Sequence, residues 1–276
     1  MASGNEHRMV FDIRGRRRHV VKAVYAILAI LMAASLFLVV GPVNIGSLLG
    51  TSSGESSNLA SEYEQHAEKL ETQLQKQPGN EELLAQLTRT RNNAGQQQLA
   101  TGPNGEVGMT VEARTQYQKA SAAWSEYLEA SNEPNASLAQ QMAGTLFSLA
   151  KVSRTYQEAQ SNIVAAAEAQ KIYADQRPSL NSLSTQALYT VFTGNYKEAE
   201  EANKAAEAKA GSKFQREQVG NQFESSKKSA VGFQTRLKEA EKAGKEAAKK
   251  GTGTGGGTPE SVENPLGPSA GGGLGE

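Results

Sequence analysis

The sequence predicts an all-α protein: a single N-terminal transmembrane helix, then an array of helices, then a disordered C-terminal tail. Three observations carry this prediction. The run VVKAVYAILAILMAASLFLVV, from Val20 to Val40, has no charged side chain after Lys22. From Asn58 onward, apolar residues recur at helical spacing between Pro and Gly breaks. Ala, Gln, Glu and Lys abound, and no stretch alternates apolar and polar residues as a β-branched strand would.

The apolar run comes first. From Ala23 to Val40 it offers roughly 27 Å of helix at about 1.5 Å per residue, or about 30 Å once Val20 and Val21 are added and Lys22 snorkels. That matches a hydrocarbon core of about 30 Å. It is longer than the apolar region of a cleavable leader, and Gly41-Pro42 ends it without a good cleavage site. The flanks are asymmetric. Arg8, Arg14, Arg16, Arg17, Arg18 and Lys22 precede or open the run, and no Lys or Arg follows until Lys69. The excess of Lys and Arg on one side predicts a cytoplasmic N-terminus and an extracytoplasmic C-terminal domain at the plasma (inner) membrane. In this reading, residues 1–19 are a short basic tail, in which Met9 could equally be the start, 20–41 the span, and 42–57 a flexible linker containing GSLLGTSSGESS.

The helices then follow in order. Leu59, Tyr63, Leu70 and Leu74 stripe the first, which Pro78-Gly79 interrupts. Asn80 is a good N-cap, with Glu81 and Glu82 suited to the first turn, and Leu83, Leu84, Leu87 and Ala94 form the second stripe. TGPNG at 101–105 is a loop, and Thr110 caps a third helix bearing Tyr117, Ala120, Trp124 and Leu128. After Pro134, Asn135 or Ser137 opens a fourth helix with Leu138, Met142, Leu146, Leu149 and Val152. An uninterrupted helix from Thr145 to Arg177 would be unusually long, so a turn is expected near Ser153–Glu158, before a fifth helix through Ile163, Ala166 and Tyr173. Pro178 and Ser179 introduce a sixth through Leu183, Ala187 and Val191, and Gly194-Asn195 turns into a seventh. The last helix runs from about Phe214 to Lys250 through Phe223, Ala230, Phe233 and Leu237, within a basic segment at 212–250. Residues 251–276, rich in Gly and Pro, are expected to be disordered.

Pro78, Pro134 and Pro178 punctuate the array at 56 and 44 residues. The clearest unit is SLNSLSTQALYTVFTGNYKEAEEANKAAEAKAG, from Ser179 to Gly211. Its Ala187, Gly194-Asn195-Tyr196, Ala199 and Ala206 resemble the small residue, the G-(D/N)-Y turn and the two alanines of the tetratricopeptide repeat. Asn203 stands where that family places a large aromatic residue. The likeness implies tetratricopeptide-like helical repeats over 58–211, whose stacked hairpins present a groove for proteins or peptides. Together with the N-terminal run, the arrangement resembles bacterial membrane-anchored tetratricopeptide-like proteins associated with the translocon and envelope chaperones.

Little in the sequence supports catalysis. There are no cysteines and three histidines, His7, His19 and His66, and the metalloprotease, nucleophile-elbow and Walker patterns do not occur. The GTGTGG of 251–256 formally matches G-x-G-x-x-G but precedes Thr258-Pro259 rather than a helix, and reads as low complexity. His66, beside Glu62 and Glu64, reads as a solvated helix position, and Asn135-Ala-Ser137 as a helix cap rather than a glycosylation site. Twenty-nine basic against 29 acidic side chains argues against a nucleic-acid binder. From Lys209 to Lys250, eleven Lys/Arg face five Glu: a solvated capping helix, or a contact for anionic lipid or an acidic partner. Ala29 and Ala33 form a weak small-xxx-small pair. The expectation is therefore a non-enzymatic, cofactor-free, membrane-tethered adaptor that contacts lipid and binds protein or peptide partners, assisting secretion or envelope protein folding. The alternative is a structural protein whose long helices self-associate without a client groove.

Overall fold

The computed structural model describes residues 55–102, 107–249 and 265–266. Eight helices make up nearly all of this: α1 (Glu55–Leu74), α2 (Glu81–Gln97), α3 (Val111–Ala130), α4 (Ala136–Lys151), α5 (Tyr156–Gln176), α6 (Leu180–Thr193), α7 (Tyr196–Ala208) and α8 (Lys213–Lys249). Between α2 and α3, β1 (Ala100–Thr101) pairs antiparallel with β2 (Val107–Gly108), Ala100 opposite Gly108. Sequence periodicity misses this ribbon, because two-residue strands have no alternation to display.

Helices α2 to α8 begin where a short polar side chain can satisfy the first free N–H groups. Asn80 Oδ1 accepts from Leu83 N at 3.1 Å, Thr110 Oγ1 from Ala113 N at 2.9 Å, Asn135 Oδ1 from Leu138 N at 3.0 Å and Thr155 Oγ1 from Glu158 N at 3.1 Å. Ser179 and Ser182 cap α6 reciprocally. The α4–α5 turn falls at 152–155, overlapping the expected Ser153–Glu158 interval and beginning one residue before it.

The helices pack mainly on their sequence neighbours. α2 with α3, α4 with α5 and α6 with α7 form antiparallel hairpins, α1 covers α2, and α8 crosses α6 and α7. Alanine sets the spacing. Ala159, Ala166, Ala169 and Ala174 line the buried face of α5, and small side chains let helix axes approach closely. The large residues concentrate on α4, where Leu138, Met142, Leu146, Phe147 and Leu149 are all buried. Phe147 stacks on Tyr189 of α6 at 4.2 Å between centroids. Phe192 and Phe233 then continue the aromatic seam from α6 to α8 at 6.4 Å. Along α8, Val219, Phe223, Ala230, Phe233 and Leu237 form one buried stripe, so only one face of the helix meets the array.

One expectation is corrected here. Among the described residues, no helix is long and apolar enough to cross a membrane. The long helices fail for a plain reason: charged side chains interrupt α1, α5 and α8. The predicted fold class therefore reduces to its all-α, helical-array part. The run from Val20 to Val40, with Arg14, Arg16, Arg17, Arg18 and Lys22, lies outside the described residues, as does the linker up to Gly54. Of the tail after Lys249, only Pro265 and Leu266 are described, and both are buried.

Candidate functional site

The residues that carry the repeat resemblance sit around one hairpin. Ala187 on α6 and Ala199 and Ala206 on α7 are buried where the two helices meet. Gly194 closes α6 with φ +89°, a left-handed conformation that suits glycine, and a Cβ there would lie 3.2 Å from the Gln234 side chain. Asn195 caps α7 through Glu198 N at 3.4 Å, and Tyr196 packs partly buried against the main cluster. Asn203 is also buried; its Nδ2 donates to Glu207 Oε1 at 2.7 Å, and its Oδ1 has no hydrogen-bond partner. The three alanines are spent inside the hairpin, whereas Asn195 is exposed at its turn and Gly194 faces Gln234 of α8. His66 is exposed on α1, with Nδ1 3.5 Å from Thr90 Oγ1.

Polar side chains lock the N-terminal helices together. Arg91 on α2 is 2% exposed, yet donates to Glu71 on α1 at 2.6 Å and to Gln116 on α3 at 3.0 Å. Gln116 and Gln98 both donate to Glu64 Oε1, at 2.7 and 2.6 Å. Asn92, fully buried, accepts from Thr145 Oγ1 of α4 at 2.6 Å. A buried guanidinium is tolerable only when paired and hydrogen-bonded in this way. Further along, Arg114 of α3 pairs with Glu158 of α5 at 2.5 Å, and Gln234 of α8 donates to Gln160 Oε1 and to the Phe192 carbonyl.

The best candidate for a binding site is a groove of about 950 Å³ between the outer face of α4 and the β-ribbon. Gln140, Gln141, Gly144 and Thr145 of α4 contribute to its lining, with Gln96 at the end of α2. The amides of Gln96, Gln140 and Gln141 can donate to and accept from a peptide backbone. A Cβ at Gly144 would meet nothing within 4 Å, so the α4 side is open there. Val107, 68% exposed, and Val152 supply apolar surface along the wall. Val111, 72% exposed, opens α3 just beyond β2.

Lys151 closes α4 and also lines the groove. Its Nζ lies 5.3 Å from the Phe147 ring centroid, a cation–π contact, and burial pulls its pKa below the ordinary lysine value. No carboxylate pairs with it among the described residues. A half-buried ammonium without an anionic partner favours the arrival of one. Sequence reasoning did not single out Lys151, because its setting depends on where Phe147 and the β-ribbon lie in space.

A second cavity, about 1030 Å³, lies between the start of α2, the α3–α4 turn and the end of α5. It sets the carboxylates of Glu81, Glu82, Glu133 and Asp175 against the guanidinium groups of Arg89 and Arg177, so acidic groups outnumber basic ones in its lining. No family model, curated protein or solved structure matches this chain.

Proposed function

We propose that the helical array is a non-catalytic adaptor that binds an extended peptide segment of a partner protein in the α4 groove. The carrying observation is Lys151: a half-buried cation with no carboxylate partner, at the end of a groove that also offers amide side chains and exposed valines. A peptide would lay its backbone along Gln96, Gln140 and Gln141 and its apolar side chains against Val107 and Val152. A carboxylate, either the peptide C-terminus or an acidic side chain, would sit at Lys151. The tetratricopeptide-like turn at Gly194–Tyr196 and the succession of hairpins are consistent with such a role. For location, the support lies in the sequence alone: Arg14, Arg16, Arg17, Arg18 and Lys22 beside the apolar run favour association with an anionic membrane.

The test is fluorescence anisotropy with an arrayed set of labelled peptides, each made with a free and an amidated C-terminus. Free-carboxylate or acidic peptides are expected to bind the wild-type chain, and K151M to weaken them by at least about tenfold, the scale of one charge-assisted hydrogen bond. K151M should melt at the same temperature as the wild type or higher, since it removes a charge that burial disfavours. Peptides that bind K151M and wild type equally would overturn the assignment.

A further inference from the structure

Three side-chain hydroxyls line the groove beside α4, those of Tyr117, Thr145 and Ser148. Two of them spend their protons inside the fold: Thr145 Oγ1 donates to Asn92 Oδ1 at 2.6 Å, and Ser148 Oγ to the Gly144 carbonyl at 2.9 Å. Tyr117 is different. It is only 5% exposed, yet its hydroxyl has no hydrogen-bond partner among the described residues. Gly95 explains how the ring comes to lie there: α2 carries no side chain at that point, and the Tyr117 edge from Cδ1 to Cζ packs over it. Burial holds the hydroxyl above its ordinary pKa of 10.0, so it is an uncharged donor at neutral pH. A polar group so nearly buried and left unpaired is costly, and folded chains keep few of them. Tyr117 meets open space where it lines the groove, and an acceptor lying there is the partner that the fold itself does not provide.

We propose that Tyr117 is a specificity-determining residue of this groove, whose hydroxyl donates to an uncharged amide carbonyl of the bound peptide. Tyr117 thereby adds selection to the peptide site assigned above, on which this role depends. The surroundings choose the acceptor. Leu99, Val107 and Met109 line the groove with it, and none of them can neutralise an anion. A carboxylate beside those side chains would lose water without gaining a counter-charge, and Lys151 is the groove's place for one. An amide oxygen gives up less hydration, and its bond to the phenol strengthens in a setting of low polarity. An apolar group laid over the hydroxyl would instead leave it dry and unpaired. The groove therefore discriminates against ligands that lack an acceptor at this point, as sites with a buried polar group do. Such an oxygen has two sources in a peptide: a main-chain carbonyl, which would fix the register, or an Asn or Gln side chain, which would fix the sequence.

The test measures how the tightest of the arrayed free-carboxylate peptides binds the full chain as wild type, Y117F, K151M and the double variant. Y117F should weaken binding at least about fivefold, the scale of one neutral hydrogen bond. It should melt at the wild-type temperature or higher, because the lost hydroxyl makes no bond within the fold. The losses in Y117F and K151M should multiply in the double variant, as for two groups that hold different atoms of one ligand. Replacing each Asn or Gln of the peptide by Leu identifies the source of the oxygen. If it is a side-chain amide, one such peptide no longer distinguishes wild type from Y117F; if it is a main-chain carbonyl, every one still does. Equal binding to wild type and Y117F, with K151M still weaker, would overturn the role of Tyr117 and leave the peptide site standing. Absence of binding by any peptide would remove both. A Y117F chain that melts several degrees lower would reveal a bond within the fold and also overturn the assignment.

Discussion

Gly95 of α2 lies against a ring of α3: a Cβ there would sit 2.5 Å from two carbons of the Tyr117 ring. G95A must push that buried ring aside, and is expected to cost about 1–3 kcal/mol, read as a lower melting temperature with helix content retained. Tyr189, stacked on Phe147, has its hydroxyl pushed up to about 12 by burial, from an ordinary value of 10.0. In the unfolded chain this phenol loses its proton near pH 10, while in the folded chain it keeps it to about pH 12. The folded state therefore binds more protons in that window, and stability falls as pH rises through it. The loss from this group is roughly 2–3 kcal/mol by pH 12, at about 1.4 kcal/mol per pKa unit. Denaturant melts between pH 9.5 and 12 should show it, and Y189F should show a shallower fall; identical slopes would remove Tyr189 as the cause. Lys151 has the opposite bearing on stability. Its pKa is lowered by burial, so its charged form weakens the fold at neutral pH even though that charge is what the proposed ligand needs.

At the scale of the elements, much of the fold could be read from residue order. Asn80, Thr110, Asn135 and Ser179 each stand at a helix start because a short polar side chain there reaches back to free N–H groups. The α4–α5 turn was legible to within a few residues from length alone, though the capping role of Thr155 was not singled out. The β-ribbon was not legible, being a product of the α2–α3 connection rather than of any alternating pattern. Nor was the burial of Arg91, whose partners Glu71 and Gln116 lie 20 and 25 residues away on other helices. The transmembrane expectation rested on a run outside the described residues, and no described helix shares its composition. The stripe on α8 was visible in the sequence, and Phe233 is its anchor, meeting Phe192 and Tyr156. F233A leaves a cavity at the junction of α5, α6 and α8 and is expected to cost about 3–5 kcal/mol. Hydrogen exchange should then quicken in α8 before it does in α4. Uniform acceleration across the array would instead mean that α8 does not open as a separate unit.

The molecule as a whole sets hairpins side by side, and the site exists only at that scale. Gln96 on α2 and Val107 on the ribbon lie far in the chain from Lys151 on α4, and each is unremarkable in its own segment; packing of α4 beside the ribbon makes them one groove. Ala187, Gly194, Asn195, Tyr196, Ala199 and Ala206, singled out in the sequence for a repeat resemblance, fall on α6, on α7 and in the turn between them. They position helices, whereas the groove residues are left over for contact. Gly144 gives the most direct access to this division of labour, since the space beside it is open and its helix loses nothing by gaining a side chain. G144A should raise stability by about 0.5–1 kcal/mol, the usual gain for replacing glycine inside a helix. The decisive measurement is the affinity of groove-binding peptides for G144W, whose indole would occupy the open space, compared with G144A and wild type. The account predicts at least about tenfold weaker binding to G144W with its melting temperature preserved; undiminished binding to a folded G144W would contradict it.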